Sequence, residues 1–370
     1  MFGHAARVRP YFGYRNATHL RLTARALRMR DRGWEHDGTF RKLAAMLSQF
    51  ASHEVAELPV SLEIKGRGGQ AQTFTAVTDH EGFVHFDVEV PAGTAAPHDP
   101  AWELARLHWA NRDGPQSVDA YVLAPGENHK LAVISDIDDT IIETGAGDLR
   151  RNWRRVLAQM PGDREAVPGA AAFFNRLSSG GEGAVGTALP ATRRPFFYIS
   201  SSPWNLFDYL VAFQKLHKLP EGPILLRDWD LNRATFASSG HHAHKVRSID
   251  SLIDFYPDVR FALIGDNTQA DALAYAEVVA KHPGRIAAVF IRQVPGADVS
   301  AEEQAAFAAI RAAGVQLWTG NSYEIGADFL ATLGFTAGGE TTQIVQTIEE
   351  AGAPATQANA PADLPRQAPA

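Results

Sequence analysis

The sequence predicts a two-part α/β protein, with a small β-rich portion leading into a parallel sheet covered by helices on both faces. Three observations carry that expectation. Five short apolar runs, LAVIS (131–135), PFFYIS (195–200), FALIGD (261–266), AAVFI (287–291) and VQLW (315–318), alternate with helical stretches. Runs that are apolar on both faces and separated by helices belong to parallel sheets buried on each side. Upstream of about residue 125 the rhythm is period two instead, the mark of half-buried strands. The chain's 370 residues, 45% hydrophobic and 21% charged, give an ordinary globular composition, enough for about two domains at the usual ~150 residues each.

Taken in order, HLRLTARAL (19–27) alternates and reads as a strand. In TFRKLAAMLSQF (39–50), Phe40, Leu43, Leu47 and Phe50 fall on one helical stripe, which is read as core rather than as a bilayer contact. VSLEIKG (60–66) is a further strand. TFTAVTDHEGFVHFDVEV (73–90) reads as a hairpin with its turn at Asp79–Gly82 and with Val84, Phe86, Val88 and Val90 on one face. In the second region, Ser202 and Pro203 are expected to open a helix as N-cap and first-turn proline. Ser300 and Glu303 should form a capping box ahead of an alanine-rich helix that ends near Gly314. The predicted boundaries are thus a β-rich domain over 1–125, an α/β domain over 126–337 and a tail over 338–370. That tail is rich in Ala, Pro and Gln and has too little apolar surface to offset its ordering entropy.

Composition excludes several chemistries. With no cysteine there can be no disulfide scaffold, thiolate zinc site or cysteine nucleophile. No run approaches the ~18 apolar residues of a membrane span, and the first residues lack a hydrophobic signal core, so a cytoplasmic protein is expected. The net charge is −7, yet residues 1–45 hold ten Lys and Arg against three acids. Such a basic end could meet a phosphate-rich surface, although a solvated arginine face is the simpler reading. No nucleic-acid partner is expected.

The chemistry gathers where strands end, which is where open parallel sheets bind ligands. After LAVIS comes DIDDT, with Asp136, Asp138, Asp139 and Thr140. After PFFYI comes SSSPWN, with Ser200, Ser201 and Ser202. After FALI comes GDNTQAD, with Asp266 and Asp271, and HHAHK supplies Lys245 from a loop ahead of the preceding helix. Converging carboxylates repel one another unless a cation is present, and carboxylates with few imidazoles suit Mg²⁺ better than zinc. Such an ion lets a carboxylate approach an anionic phosphoryl group. One Asp can then attack phosphorus, and a second, two residues on, can protonate the leaving alcohol. Serine hydroxyls and a lysine can hold the remaining oxygens.

In this order the motifs resemble the haloacid dehalogenase superfamily of phosphohydrolases. SDIDDTI fits its DxDx[TV] motif, FFYIS its second motif, Lys245 its third and GDNTQAD its GDxxxxD motif. The resemblance implies a Rossmann-like sheet with Asp136 as nucleophile and Asp138 as general acid/base. It implies that Thr140, Ser200, Ser201 and Lys245 hold phosphate, and that Asp136, Asp266 and the main-chain carbonyl of Asp138 hold Mg²⁺, with Asp271 in support. More narrowly, SDIDDTI, YISSSPWNLFDYL, GPILLRD, FALIGDNTQADALAYAEV and RIAAVFIR resemble the actin-patch-associated phosphatidate phosphatase family. This implies a phosphatidate or related lipid-phosphate substrate and peripheral contact with a membrane. The short segment between the first two motifs implies a minimal cap.

Other features have plainer readings. His241, His242 and His244 could bind zinc, but a polar loop beside the site is the simpler account. Trp204 either lines a pocket or anchors a helix on the sheet. Trp229–Asp230 is solitary, so a propeller is rejected. The function expected is therefore a Mg²⁺-dependent phosphatase acting through an aspartyl-phosphate on a lipid phosphate. The alternatives are a phosphatase for a soluble or protein-bound phosphomonoester, or a catalytically silent binding module.

Overall fold

The computed structural model describes residues 5–28, 53–66, 71–91, 94–127, 129–142, 166–178, 191–227 and 239–323. The helical stripe over 39–50, the Trp229–Asp230 pair, the 338–370 tail and the segments that would form a cap lie outside the described residues.

Nine strands come first: β1 (Ala6–Pro10), β2 (Gly13–Arg15), β3 (His19–Arg28), β4 (His53–Glu54), β5 (Pro59–Lys65), β6 (Ala71–Val77), β7 (Phe83–Glu89), β8 (Ala101–Asn111) and β9 (Gly114–Ala124). Hydrogen bonding runs β1-β3-β2-β9-β8-β5-β6, with β4 and β7 also on β3, and every pairing is antiparallel except that of β2 with β9. The alternation seen in the sequence is real: Leu20, Leu22, Leu62, Val84, Phe86, Leu107 and Val122 point into one shared core. The expected hairpin over 73–90 does not form. Its turn is present, with Asp79 accepting the Phe83 N–H and Gly82 at φ 79°, but β6 pairs with β5 while β7 pairs with β3. The sheet curls so that two strands adjacent in sequence lie far apart in the pairing order. β5–β6 and β8–β9 are hairpins instead, the latter in register from Ala101↔Ala124 to Asn111↔Gly114.

The second sheet is wholly parallel. It holds β10 (Leu131–Asp136), β11 (Phe196–Pro203), β12 (Ile224–Arg227), β13 (Arg260–Asp266), β14 (Ile286–Arg292) and β15 (Gln316–Gly320) in the order β12-β11-β10-β13-β14-β15. The strand order reverses beside β10, which makes its carboxyl end a switch point where ligands bind. Along β10, Leu131 and Val133 enter one core while Ala132 and Ile134 enter another on the opposite face. That is why LAVIS carries no polar alternation.

Helices α1 (Ala170–Leu177) and α2 (Phe207–Leu216) cover the first face with Phe173, Phe174, Leu210 and Phe213. On the second face, α3 (Ser239–Phe255), α4 (Asp271–Lys281) and α5 (Ala301–Ala312) bring Ile249, Leu252, Val278 and Ile310. Each such side chain contributes about 1.5–3 kcal/mol when fully buried. The capping box of Ser300 and Glu303 opens α5 as expected, and Gly314 at φ 77° follows its end. Ser202, however, caps nothing. β11 runs through Pro203, a single 3-10 turn follows, and α2 begins at Phe207 without a side-chain cap. The Ser202 hydroxyl faces Asp138 instead.

Four of the arginines of the N-terminal strands are paired within the fold, while Arg28 is exposed. Arg9 pairs with Asp208, Arg15 with Glu103, Arg21 with Asp87 and Arg25 with Glu54. Arg21 also reaches Ser251 at 2.9 Å and Arg25 reaches Asn205 at 2.7 Å, which ties the antiparallel sheet to the helical layers. Tyr11 packs at 4.4 Å on Trp204, and Tyr14 at 5.1 Å on Phe255, so aromatic rings complete the joint.

Candidate active site

Three strand ends and one helix build the site. β10 delivers Asp136 and then turns through Ile137, Asp138, Asp139 and Thr140, all buried. Asp139 takes φ 58°, a conformation tolerated best by Gly, Asn and Asp. Its N–H bonds the Ile142 carbonyl at 3.0 Å, which closes the turn. β13 delivers Asp266, and Asp271 opens α4 after Ala270, which is also left-handed at φ 60°. Gly265 is required here, because a Cβ at that position would collide with the Asp271 carboxylate and the Tyr275 hydroxyl. Lys245 lies in the second turn of α3 and not in a loop, 1% exposed, and reaches down to the carboxylates.

The contacts are specific. Lys245 Nζ stands 2.9 Å from Asp136 Oδ1 and donates to Asp271 Oδ1. Asp271 Oδ2 accepts the Asp266 N–H at 3.1 Å. Thr140 donates to Asp266 Oδ2 at 3.2 Å, joining the first catalytic turn to the last. Thr268 donates to Asp266 Oδ1 through its backbone and its hydroxyl, each at 2.5 Å. Ser200 donates to Asp138 Oδ2 at 2.9 Å, and Ser202 adds a longer bond at 3.4 Å. Gln269 donates to the Asp138 carbonyl at 3.2 Å. Of the three serines only Ser201 has a buried hydroxyl with no hydrogen-bond partner.

Electrostatics set this region apart. Burial raises Asp136 to about 7, with the Lys245 cation opposing and Asp266 and Asp138 adding to the rise. Asp266 and Asp271 also rise to about 7, chiefly through burial. Asp138 rises for the same reason, restrained by the Ser200 hydrogen bond and the Lys245 charge. Burial works against the Lys245 cation, but the carboxylates around it outweigh that loss and lift its pKa. Carboxyl oxygens of Asp136, Asp266 and Asp271 lie within 4.8 Å of one another, and Asp136 Oδ2 is buried without a hydrogen-bond partner. An orphaned carboxylate oxygen among acids that one lysine cannot neutralise suits a hard divalent cation.

Asp136, Asp266 and Asp271 thus gather around Lys245, Thr140 bonds Asp266 and Ser200 bonds Asp138. Of the histidines, His242 bonds Glu277 at 2.6 Å, and the His241 side chain lies outside the described residues. Two contributors carry no signal in the sequence. Arg292, 2% exposed at the end of β14, donates to the Asp139 carbonyl at 2.6 Å while its own carbonyl accepts the Asn267 N–H at 3.0 Å. One residue therefore spans the turn after β10 and the turn after β13. Gln269 is the other, its amide set on the Asp138 carbonyl.

Comparison with known proteins places this geometry. Residues 131–293 match the family described as "Phosphatidate phosphatase APP1, catalytic domain". The chain is 28% identical over 165 residues to Phosphatidate phosphatase APP1 of Saccharomyces cerevisiae, covering 44% of this chain and 26% of that protein. It is also 28% identical over 224 residues to an uncharacterized protein of Schizosaccharomyces pombe, covering 60% of this chain and 34% of the other. The alignments thus span about a third or less of the curated relatives. Among solved structures, a β-glucuronidase of Parabacteroides merdae aligns at a TM-score of 0.26 and 6% identity, over 84% of this chain and 38% of that one, a likeness that carries no functional argument. Every candidate site residue, from Asp136 to Asp271, falls inside the segment that matches this phosphatase catalytic domain.

Proposed function

We propose that this protein is a Mg²⁺-dependent phosphatase of the haloacid dehalogenase type, with a minimal cap, that hydrolyses phosphatidate or a related lipid phosphate through an aspartyl-phosphate. The observation that carries the reading is the buried carboxylate group at the switch point, with Asp136 Oδ2 unpartnered and Asp138 two residues on. Asp136 and Asp266 would hold the cation, while both oxygens of Asp271 are already engaged by Lys245 and the Asp266 N–H. When bound, the cation supplies the positive charge that lets Asp136 meet a phosphate dianion.

This chain's own residues do the rest. Asp136 attacks phosphorus, forming its O–P bond as the bond to the leaving oxygen breaks. Asp138, whose carboxyl burial pushes upward and which Ser200 orients, gives its proton to that oxygen. It then removes a proton from the water that attacks the phosphoryl group, and Asp136 and inorganic phosphate are released. Lys245 and the free Ser201 hydroxyl bind the phosphate oxygens, with Thr140 bracing Asp266. Ser200 serves Asp138 more directly than it serves the phosphate.

The lipid substrate is inferred from the family match. Contact with the bilayer would be peripheral and the location cytoplasmic; among the described residues no helix is long and apolar enough to cross a membrane. The test is release of inorganic phosphate from phosphatidate in detergent micelles with and without Mg²⁺, beside a soluble aryl phosphate. Turnover of the aryl phosphate alone would favour the soluble-substrate alternative. No turnover of either would leave the binding-module reading.

A further inference from the structure

A cleft of about 350 Å³ lies where the antiparallel sheet meets the free edge of β12. Ligand pockets commonly occupy such joints, have volumes of about 300–1,000 Å³, and combine apolar walls with a few fixed polar groups. Tyr11, Phe12, Leu22, Phe86, Trp204 and Leu225 supply the apolar wall. The polar groups facing them are largely satisfied by one another: Arg21 with Asp87 and Ser251, each at 2.9 Å, and Thr23 with His85 at 3.0 Å. This wall calls for no charged ligand.

Position assigns the occupant. Trp204 stands two residues beyond Ser202, and His244, also in the lining, directly precedes Lys245. The cleft is therefore walled by α3, which carries Lys245, and by the 3-10 turn that directly follows β11. We propose that it seats the alkyl or acyl chain of a phosphomonoester substrate while Ser201 and Lys245 hold the phosphate. The proposal rests on the phosphatase reading above and adds a determinant of chain length. It gives the antiparallel sheet a task in selectivity, since Tyr11, Phe12, Leu22 and Phe86 all come from it.

Thr23→Phe and Ser248→Phe fill the cleft from opposite walls, one on β3 and one on α3. The probes are dodecyl phosphate, ethyl phosphate and p-nitrophenyl phosphate, with melting curves checking each variant. The wild type should prefer dodecyl over ethyl phosphate by about tenfold or more in kcat/KM, an advantage of the size that burying a few methylenes yields. Both variants should erase that preference while p-nitrophenyl phosphate turnover stays within about twofold. Calorimetric binding of dodecyl phosphate should weaken in parallel. An unchanged preference in two folded variants, or a wild type indifferent to chain length, overturns the assignment and leaves the phosphatase reading intact. If the wild type hydrolyses none of the three, the phosphatase reading falls, and the calorimetric comparison of wild type with the filled variants still decides the cleft.

Discussion

The two sheets bury polar groups in opposite ways. In the antiparallel sheet the buried charges are Arg15 and Arg25, each set against an acid or a carbonyl that neutralises it. At the ends of the parallel strands, Asp136, Asp138, Asp266 and Asp271 are buried with Lys245 as the cation among them, and all four carboxyls are raised. The first arrangement stabilises a joint. The second holds unfavourable charge in readiness for a ligand, which is how functional sites come to be locally costly.

Substitutions that separate stability from activity sharpen that contrast. The largest effect should come from Asp136→Asn, which should lower turnover about a thousandfold or more. Its melting temperature without divalent cation should hold or rise, because one of several repelling carboxylates is gone. Phosphate release and a thermal melt check both halves, and appreciable activity in the folded variant would remove the covalent route. Arg292→Met should come next. Releasing the Asp139 carbonyl shifts the turn that carries Asp138, and misplacement of that kind costs about ten- to a hundredfold in kcat, with KM little changed.

In the antiparallel sheet the balance should invert. Arg15→Met removes two short bonds to Glu103 and one to the Ala95 carbonyl, and hydrogen bonds to charged groups contribute about 1.5–3 kcal/mol each before compensation by water at the half-exposed Glu103. Denaturant unfolding should report a loss of about 2 kcal/mol with kcat on a soluble phosphate unaltered.

A smaller effect is expected from pH. Asp136, Asp266 and Asp271 have folded values of about 7 against an ordinary 3.8. Raised carboxyls favour the fold most below their unfolded value, and that contribution is lost as pH climbs through about 7. Without divalent cation the melting temperature should therefore fall over that window. Added Mg²⁺ should restore more of it above pH 7 than below, since protons then no longer compete for the same oxygens. A Mg²⁺ shift independent of pH would separate the cation from these carboxylates. The smallest effect belongs to Leu104→Ser on the antiparallel sheet, 56% exposed, which should move stability by no more than about 0.5 kcal/mol in a denaturant titration.

Legibility in the sequence followed the range of the interactions. The runs over 131–135, 261–266 and 287–291 were plain because burial on both faces leaves no polar alternation to misread. β12 is four residues long and sits at an edge, too short for any period to declare itself. The aspartates of the candidate site were readable because they follow their strands closely, and Lys245 was legible as a residue although its helix begins earlier than its neighbours suggested. The 73–90 segment shows the opposite limit, since alternation fixes which face is buried but not which strand lies alongside.

What the sequence determined alone is β3, β5, β6, β7, β10, β11, β13, β14 and β15, the in-or-out direction of their side chains, and the order in which Asp136, Asp138, Ser200, Lys245 and Asp266 reach the sheet's carboxyl end; β8 and β9, the longest pair, were not read as strands. These follow from periodicity and from position relative to a strand end, both local properties. Tertiary structure decided that β7 joins β3, that Ser200 and Ser202 turn to Asp138 and leave Ser201 free, that Arg292 spans two turns, and that Arg9, Arg15, Arg21 and Arg25 are paired within the fold. Each of these depends on which groups from distant parts of the chain arrive within about 3 Å of a donor or acceptor, and a hydrogen bond's partner is set by the packing of whole elements, which no local pattern records.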